Sequence, residues 1–96
     1  MEIFVFARFD AKPGAAALVG NALREVVDAS RQEDGCLDIH VFRSIRNAGI
    51  FYIHSRWKDI AAFELHAGLP HTVRFIQSVQ PLLHDAVNAE RCEMFA

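Results

Sequence analysis

The stretch CLDIHVFRSIRNAGIFYIHSRW, residues 36–57, decides the fold. Its two halves alternate in character around Arg46-Asn47-Ala48-Gly49, whose residue types favour a tight reversal. Cys36–Ile45 and Ile50–Trp57 are therefore expected to form the two strands of a hairpin. Leu37, Ile39, Val41, Phe51, Ile53 and Trp57 make one apolar face, because side chains alternate along a strand. Asp38, His40, Phe42, Tyr52, His54 and Arg56 make the other, which is polar and aromatic. Partners in an antiparallel pair share a face, so their numbers must add to an even sum. A sum of 94 sets His40 directly opposite His54.

Upstream, Ala15 to about Gln32 carries Leu18, Val19, Ala22, Leu23, Val26 and Ala29 at helical spacing, with Asn21, Arg24, Glu25, Asp28 and Arg31 facing outward. Asp34-Gly35 ends that helix, glycine supplying the positive φ that helix ends favour. Glu2–Asp10 alternates so that Ile3, Val5, Ala7 and Phe9 face one way while Phe4 and Phe6, with Glu2 and Arg8, face the other. Lys12-Pro13-Gly14 separates this strand from the helix.

Downstream, Asp59 suits the N-cap of a short helix, Ile60–Ala67, and Gly68 ends it. Pro70 suits the first turn of another helix, which runs to about Gln80. Pro81 closes it, and Asp85–Phe95 reads as a last strand. The order strand, helix, strand, strand, helix pair, strand is that of an α+β, ferredoxin-like βαββαβ unit with a four-stranded antiparallel sheet. Helices cover one sheet face. The other, with Phe4, Phe6, Phe42 and Tyr52, is too apolar to stay wet, and a second copy's sheet would close it into a dimeric α+β barrel.

Composition sets the outer limits. The 96 residues are 52% hydrophobic and 23% charged, which fits a single domain over residues 1–96. A domain of this size buries only roughly 60–65% of its unfolded surface, so the apolar excess points to self-association as a homodimer. Net charge is −2 with the basic residues scattered, which excludes the basic stripe that nucleic acid requires. No apolar run approaches the ~20 residues of a membrane span. The N-terminal MEIFVFARFD lacks the features of a signal peptide, and a cytoplasmic location is expected. Cys36 and Cys92 have no CxxC spacing and read as small buried hydrophobes in a reducing compartment, with an intermolecular bridge as the alternative.

ARFDAKPG (residues 7–14), EDGCL (33–37), RWKD (56–59) and HAGLPH (66–71) together resemble the antibiotic biosynthesis monooxygenase superfamily of dimeric α+β barrels, over essentially the whole chain. The resemblance implies one of several activities. Members include quinol and anthrone oxygenases that use no cofactor, haem-degrading enzymes and an isomerase of a signalling molecule. By ungapped alignment from Arg56-Trp57, the haem-degrading branch would place its iron-ligating histidine at Ile76 and a pocket asparagine at Ala7. Polyketide-oxidising relatives would place a tyrosine at Phe63 and an asparagine at Ile53. Many relatives carry a glutamate where this chain has Ser55.

No GxGxxG, P-loop, HExxH or zinc-spaced Cys/His cluster is present, so no cofactor is expected. An electron-rich hydroquinone or anthrone, once deprotonated, reduces O₂ itself. The protein then supplies a base, donors for a developing oxyanion and a dry aromatic pocket. His66 and His71 are the catalytic candidates. His66 lies in the last turn of its helix, beside the face of Ile60 and Phe63, as proton donor or shuttle. His71 lies in the first turn of the next helix, as pocket rim, base, or a cap at the joint. Five residues of helix turn side chains roughly 140° apart, and Pro70 interrupts the helix, so no metal is expected there. Trp57, Phe63, Phe75, Ile76, Ile53 and Ala7 are the expected pocket residues, Trp57 doubling as a core anchor. His40 and His54 are expected at the dimer interface, with a pH-sensitive or metal-binding pair as the alternative. Arg56 should pair with a carboxylate, and Arg74 should lie at the surface or the pocket rim. The leading function is a cofactor-independent monooxygenase acting on a small aromatic substrate and O₂. An isomerase or aldolase-like enzyme on a small carbonyl compound, and a non-catalytic binding protein, are the alternatives.

Overall fold

A computed structural model describes residues 1–96. The chain runs β1 (Ile3–Asp10), α1 (Ala16–Ser30), β2 (Cys36–Arg43), β3 (Ile50–Trp57), α2 (Ile60–Gly68), α3 (Pro70–Val79), a 3₁₀ turn (Gln80–Leu82) and β4 (Ala89–Cys92). The four strands form one antiparallel sheet in the order β2-β3-β1-β4. This is the ferredoxin-like βαββαβ fold. β4 is shorter than the expected Asp85–Phe95 and pairs only with β1, from Phe4↔Cys92 to Ala7↔Ala89.

Along the hairpin the register is the one with pair sum 94: Asp38↔Arg56, His40↔His54 and Phe42↔Tyr52. At its start a bulge changes that sum, so that Cys36, not Leu37, stands opposite Trp57. Leu37 is the extra residue. It turns outward and is exposed, whereas Cys36 packs against the core.

Ile3, Val5, Ala7 and Phe9 of β1 and Ile39, Phe51 and Trp57 of the hairpin are buried beneath the helices. The buried stripe of α1 is Val19, Leu23, Val26, Val27 and Ser30, turned slightly from the expected one so that Leu18 is exposed. The core divides into a large cluster under α1 and α3 and a small one of Ile3, Val5, Trp57 and Phe63 under α2. On the opposite sheet face Phe6, Phe42 and Tyr52 are exposed, and Arg56 pairs with Glu2 and Asp38 at 3.3 Å each. No helix is long and apolar enough to cross a membrane.

The glycines act differently from expectation. Gly14 alone takes a positive φ, 82°, in the turn before α1. Gly35 is needed for space: a Cβ there would lie 2.4 Å from the Cβ of Ala62 on α2. α2 therefore descends onto the loop between α1 and β2. That close approach positions the candidate site.

Candidate active site

α2 begins at Asp59, whose side chain accepts the Ala62 amide at 2.8 Å. It ends at Leu69, which is extended (φ −68°, ψ 148°) because it precedes a proline. Thr72 N–H and Val73 N–H both donate to Leu69 O, so α3 restarts at once in a new direction. The two histidines of HAGLPH consequently do not diverge as they would on one continuous helix. Both reach the same oxygen of Glu33. His66 Nδ1 and His71 Nε2 each lie 2.8 Å from Glu33 Oε2. The expectation of separated side chains is thus corrected, and its cause is the break at Leu69-Pro70.

A carboxylate oxygen only accepts, so each facing ring nitrogen carries a proton. His66 in its neutral form is then the Nδ1–H tautomer and keeps Nε2 as an acceptor. Its ring lies 4.5 Å from Trp57 and 5.6 Å from Phe63, centroid to centroid. The Thr72 hydroxyl is 3.4 Å from Nδ1. The His66 and Glu33 side chains are only 11% and 13% exposed, against 27% for His71. These contacts fix the ring rather than leaving it to rotate.

Beside His66 a cavity of about 290 Å³ opens between sheet and helices, where the two core clusters part. Five of the six expected pocket residues line it: Ala7, Ile53, Phe63, Phe75 and Ile76. Trp57 does not. It is wholly buried one layer behind, packed against His66 with the two rings tilted by 37°, and its Nε1–H is donated to Ser55 Oγ at 2.9 Å. Ser55 itself lines the cavity, and having accepted the indole proton its own hydroxyl proton is free to donate inward. His66 is the one titratable side chain in the wall. His71 faces a separate, open groove between α1 and α3, together with Arg74. Glu33 joins the two histidines.

Glu33 is the member of the candidate site that was not expected, although it opens the EDGCL motif. The same charge acts on Cys36, whose thiol is pushed up to about 11, first by burial and then by Glu33 and Asp38, with Arg31 opposing. Both cysteines are free, and both are only partly buried.

Fold and site together define a ferredoxin-like domain with an apolar cavity under its helices and a carboxylate-tethered histidine in the cavity wall. The chain belongs to the antibiotic biosynthesis monooxygenase family, whose model matches residues 2–78. It is similar to Rv0793 of Mycobacterium tuberculosis, with 28% identity over 81 residues covering 84% of this chain and 79% of the relative. The solved structure of Rv0793 superposes with a TM-score of 0.93 over 100% of this chain and 97% of that one, at 25% identity. PA3566 from Pseudomonas aeruginosa is 30% identical with a TM-score of 0.90, covering 99% of this chain and 95% of its own.

Proposed function

We propose that the chain is a cofactor-independent monooxygenase that takes a small electron-rich aromatic compound, of hydroquinone or anthrone type, and O₂. The observation that carries this reading is the apolar cavity whose single titratable wall group, His66, is held by Glu33 with Nε2 free. An apolar cavity of about 150 Å³ accommodates benzene, so the roughly 290 Å³ here has room for a larger aromatic compound.

In this scheme His66 Nε2 removes the acidic proton of the substrate, and Glu33 stabilises the resulting imidazolium. The Ser55 hydroxyl donates to the developing oxyanion. The carbanion or phenolate passes an electron to O₂, and the radical pair combines to a peroxide anion. That anion takes the proton back from His66, and loss of water leaves the oxidised carbonyl. The apolar wall keeps bulk water from the anion.

The same reading makes the working form a homodimer, with the exposed Phe6, Phe42 and Tyr52 covered by the sheet of a second copy. The test is oxygen uptake with a panel of hydroquinones and anthrones. His66→Ala should lower turnover by about 10²- to 10⁴-fold while the fold, read by circular dichroism, is retained. Absence of uptake with every member of the panel would overturn the proposal. Substrate proton exchange without O₂ consumption would point instead to an isomerase on a small carbonyl compound.

A further inference from the structure

Three ligand-type atoms, Glu33 Oε2, His66 Nδ1 and His71 Nε2, lie within 4.8 Å of one another. They come from three separate elements: the loop after α1, the last turn of α2 and the first turn of α3. We infer that this cluster is a binding site for a first-row divalent metal ion such as Zn²⁺ or Co²⁺, and that loading it switches off the base at His66. The second half rests on the function proposed above; the binding itself does not.

Two imidazoles and one carboxylate are a donor set suited to these ions, and they leave a further coordination position for water. Ligands at ~2.1 Å around a tetrahedral ion stand about 3.4 Å apart. Here each N···O separation is 2.8 Å, so each must open by a little over half an ångström. The arrangement allows that movement. His71 is the most exposed of the three and borders an open groove, through which an ion can enter without crossing the apolar cavity.

The consequence follows from proton positions. Without metal, His66 carries its proton on Nδ1 and keeps Nε2 free. A metal ion takes the Nδ1 lone pair, so the proton of the neutral ring moves to Nε2. His71 likewise exchanges its Nε2 proton for one on Nδ1. The only nitrogen of His66 still open to a substrate thereby changes from acceptor to donor. The ion acts as an inhibitor of the base.

The experiment is titration of the purified chain with Co²⁺, read by its visible d–d absorption, and with Zn²⁺, read by the imidazole ¹⁵N shifts of His66. The expected result is one equivalent per chain, a low-coordinate Co²⁺ spectrum, and protonation of His66 Nε2 on Zn²⁺ loading. Losing an outer-shell partner already costs about 10- to 100-fold in metal affinity, so Glu33→Gln and His71→Ala should each weaken binding by at least roughly 100-fold. The His71 side chain is partly exposed and the Glu33 replacement is isosteric, so both variants test binding rather than folding. The rival site is His40 and His54, directly paired across β2 and β3. If Co²⁺ binding survives both substitutions and is lost in His54→Ala, or if no spectrum develops, the inference is overturned. A Co²⁺ spectrum in a protein that shows no O₂ uptake would retain the metal site and remove the oxygenase reading.

Discussion

Gly35→Ala tests whether the descent of α2 onto the α1–β2 loop is what builds the site. The added Cβ would stand 2.4 Å from Ala62 Cβ. Carbon atoms in contact prefer about 3.5–4.0 Å, so loop and helix must part by more than an ångström. The loop cannot yield freely, because Gly35 O accepts the Lys58 amide at 3.0 Å. Overpacking of this kind costs about 1–3 kcal/mol. Taking about 2 kcal/mol, Tm should fall by roughly 8–16 °C. His66 lies one helical turn beyond Ala62 on the same face of α2, so the same displacement pulls Nδ1 out of hydrogen-bond range of Glu33. Backbone strain is not the cause, since the positive φ belongs to Gly14 alone. Ala62→Gly should therefore rescue. With that Cβ gone, the nearest remaining atoms are the Ala62 Cα at 3.5 Å and Lys58 Cε at 3.6 Å, which is ordinary contact. Glycine in the helix costs about 1 kcal/mol by itself, so the double variant should sit about 1 kcal/mol below wild type, where simple addition gives about 3. Thermal and denaturant unfolding of all four proteins, closed as a double-mutant cycle, decides the matter. A single variant that melts with wild type, or a double variant with additive losses, would refute the steric argument.

Three further outcomes are expected. Glu33→Gln replaces a charge-assisted hydrogen bond worth about 1.5–3 kcal/mol with a neutral one worth about 0.5–1.5 kcal/mol, so kcat/KM for O₂ uptake should fall by about 5- to 13-fold; equal activity would remove Glu33 from the mechanism. Phe42→Glu places a charge on the exposed sheet face, and light scattering should show a monomer where the parent chain is a dimer; a wild type that is itself monomeric would end that reading. Cys36, with its thiol pushed up to about 11, should alkylate slowly at pH 8 and accelerate about tenfold per pH unit up to that value, measured against Cys36→Ala. Because the folded chain holds this proton more tightly than the unfolded one, stability gained from the neutral thiol is present below pH 9 and is lost as pH rises through about 11.

Much of the fold was legible because its signals are local. Alternation and one parity argument put His40 and His54 on the same face with a register that can pair them, and Asp59 and Pro70 marked the starts of α2 and α3 where the structure has them. What escaped was tertiary. The bulge at Leu37 interrupts a perfect alternation, and nothing in the residues themselves marks it. The role of Gly35 depends on a helix 27 positions downstream, so the conformational explanation at hand was the wrong one. β4 shrinks to four residues because pairing, rather than composition, ends a strand whose other edge has no neighbour.

The site follows the same division, and the division bears on its chemistry. Ala7, Ile53, Phe63, Phe75 and Ile76 line the cavity as expected, each pointing inward from its own strand or helix. Glu33 is 33 and 38 positions from its two partners, a distance no spacing rule spans. The angle argument against a His66–His71 pair was sound for one helix and failed because Leu69 is extended. Once both rings converge on one oxygen, they cease to be equivalent. His66 has the cavity on its far side; His71 has the open groove between α1 and α3. A group that does not reach the cavity cannot take a proton from a substrate held there. Under the proposed function the geometry therefore assigns His71 a positioning role, holding from outside the carboxylate that holds His66, and leaves the proton chemistry to one nitrogen, His66 Nε2.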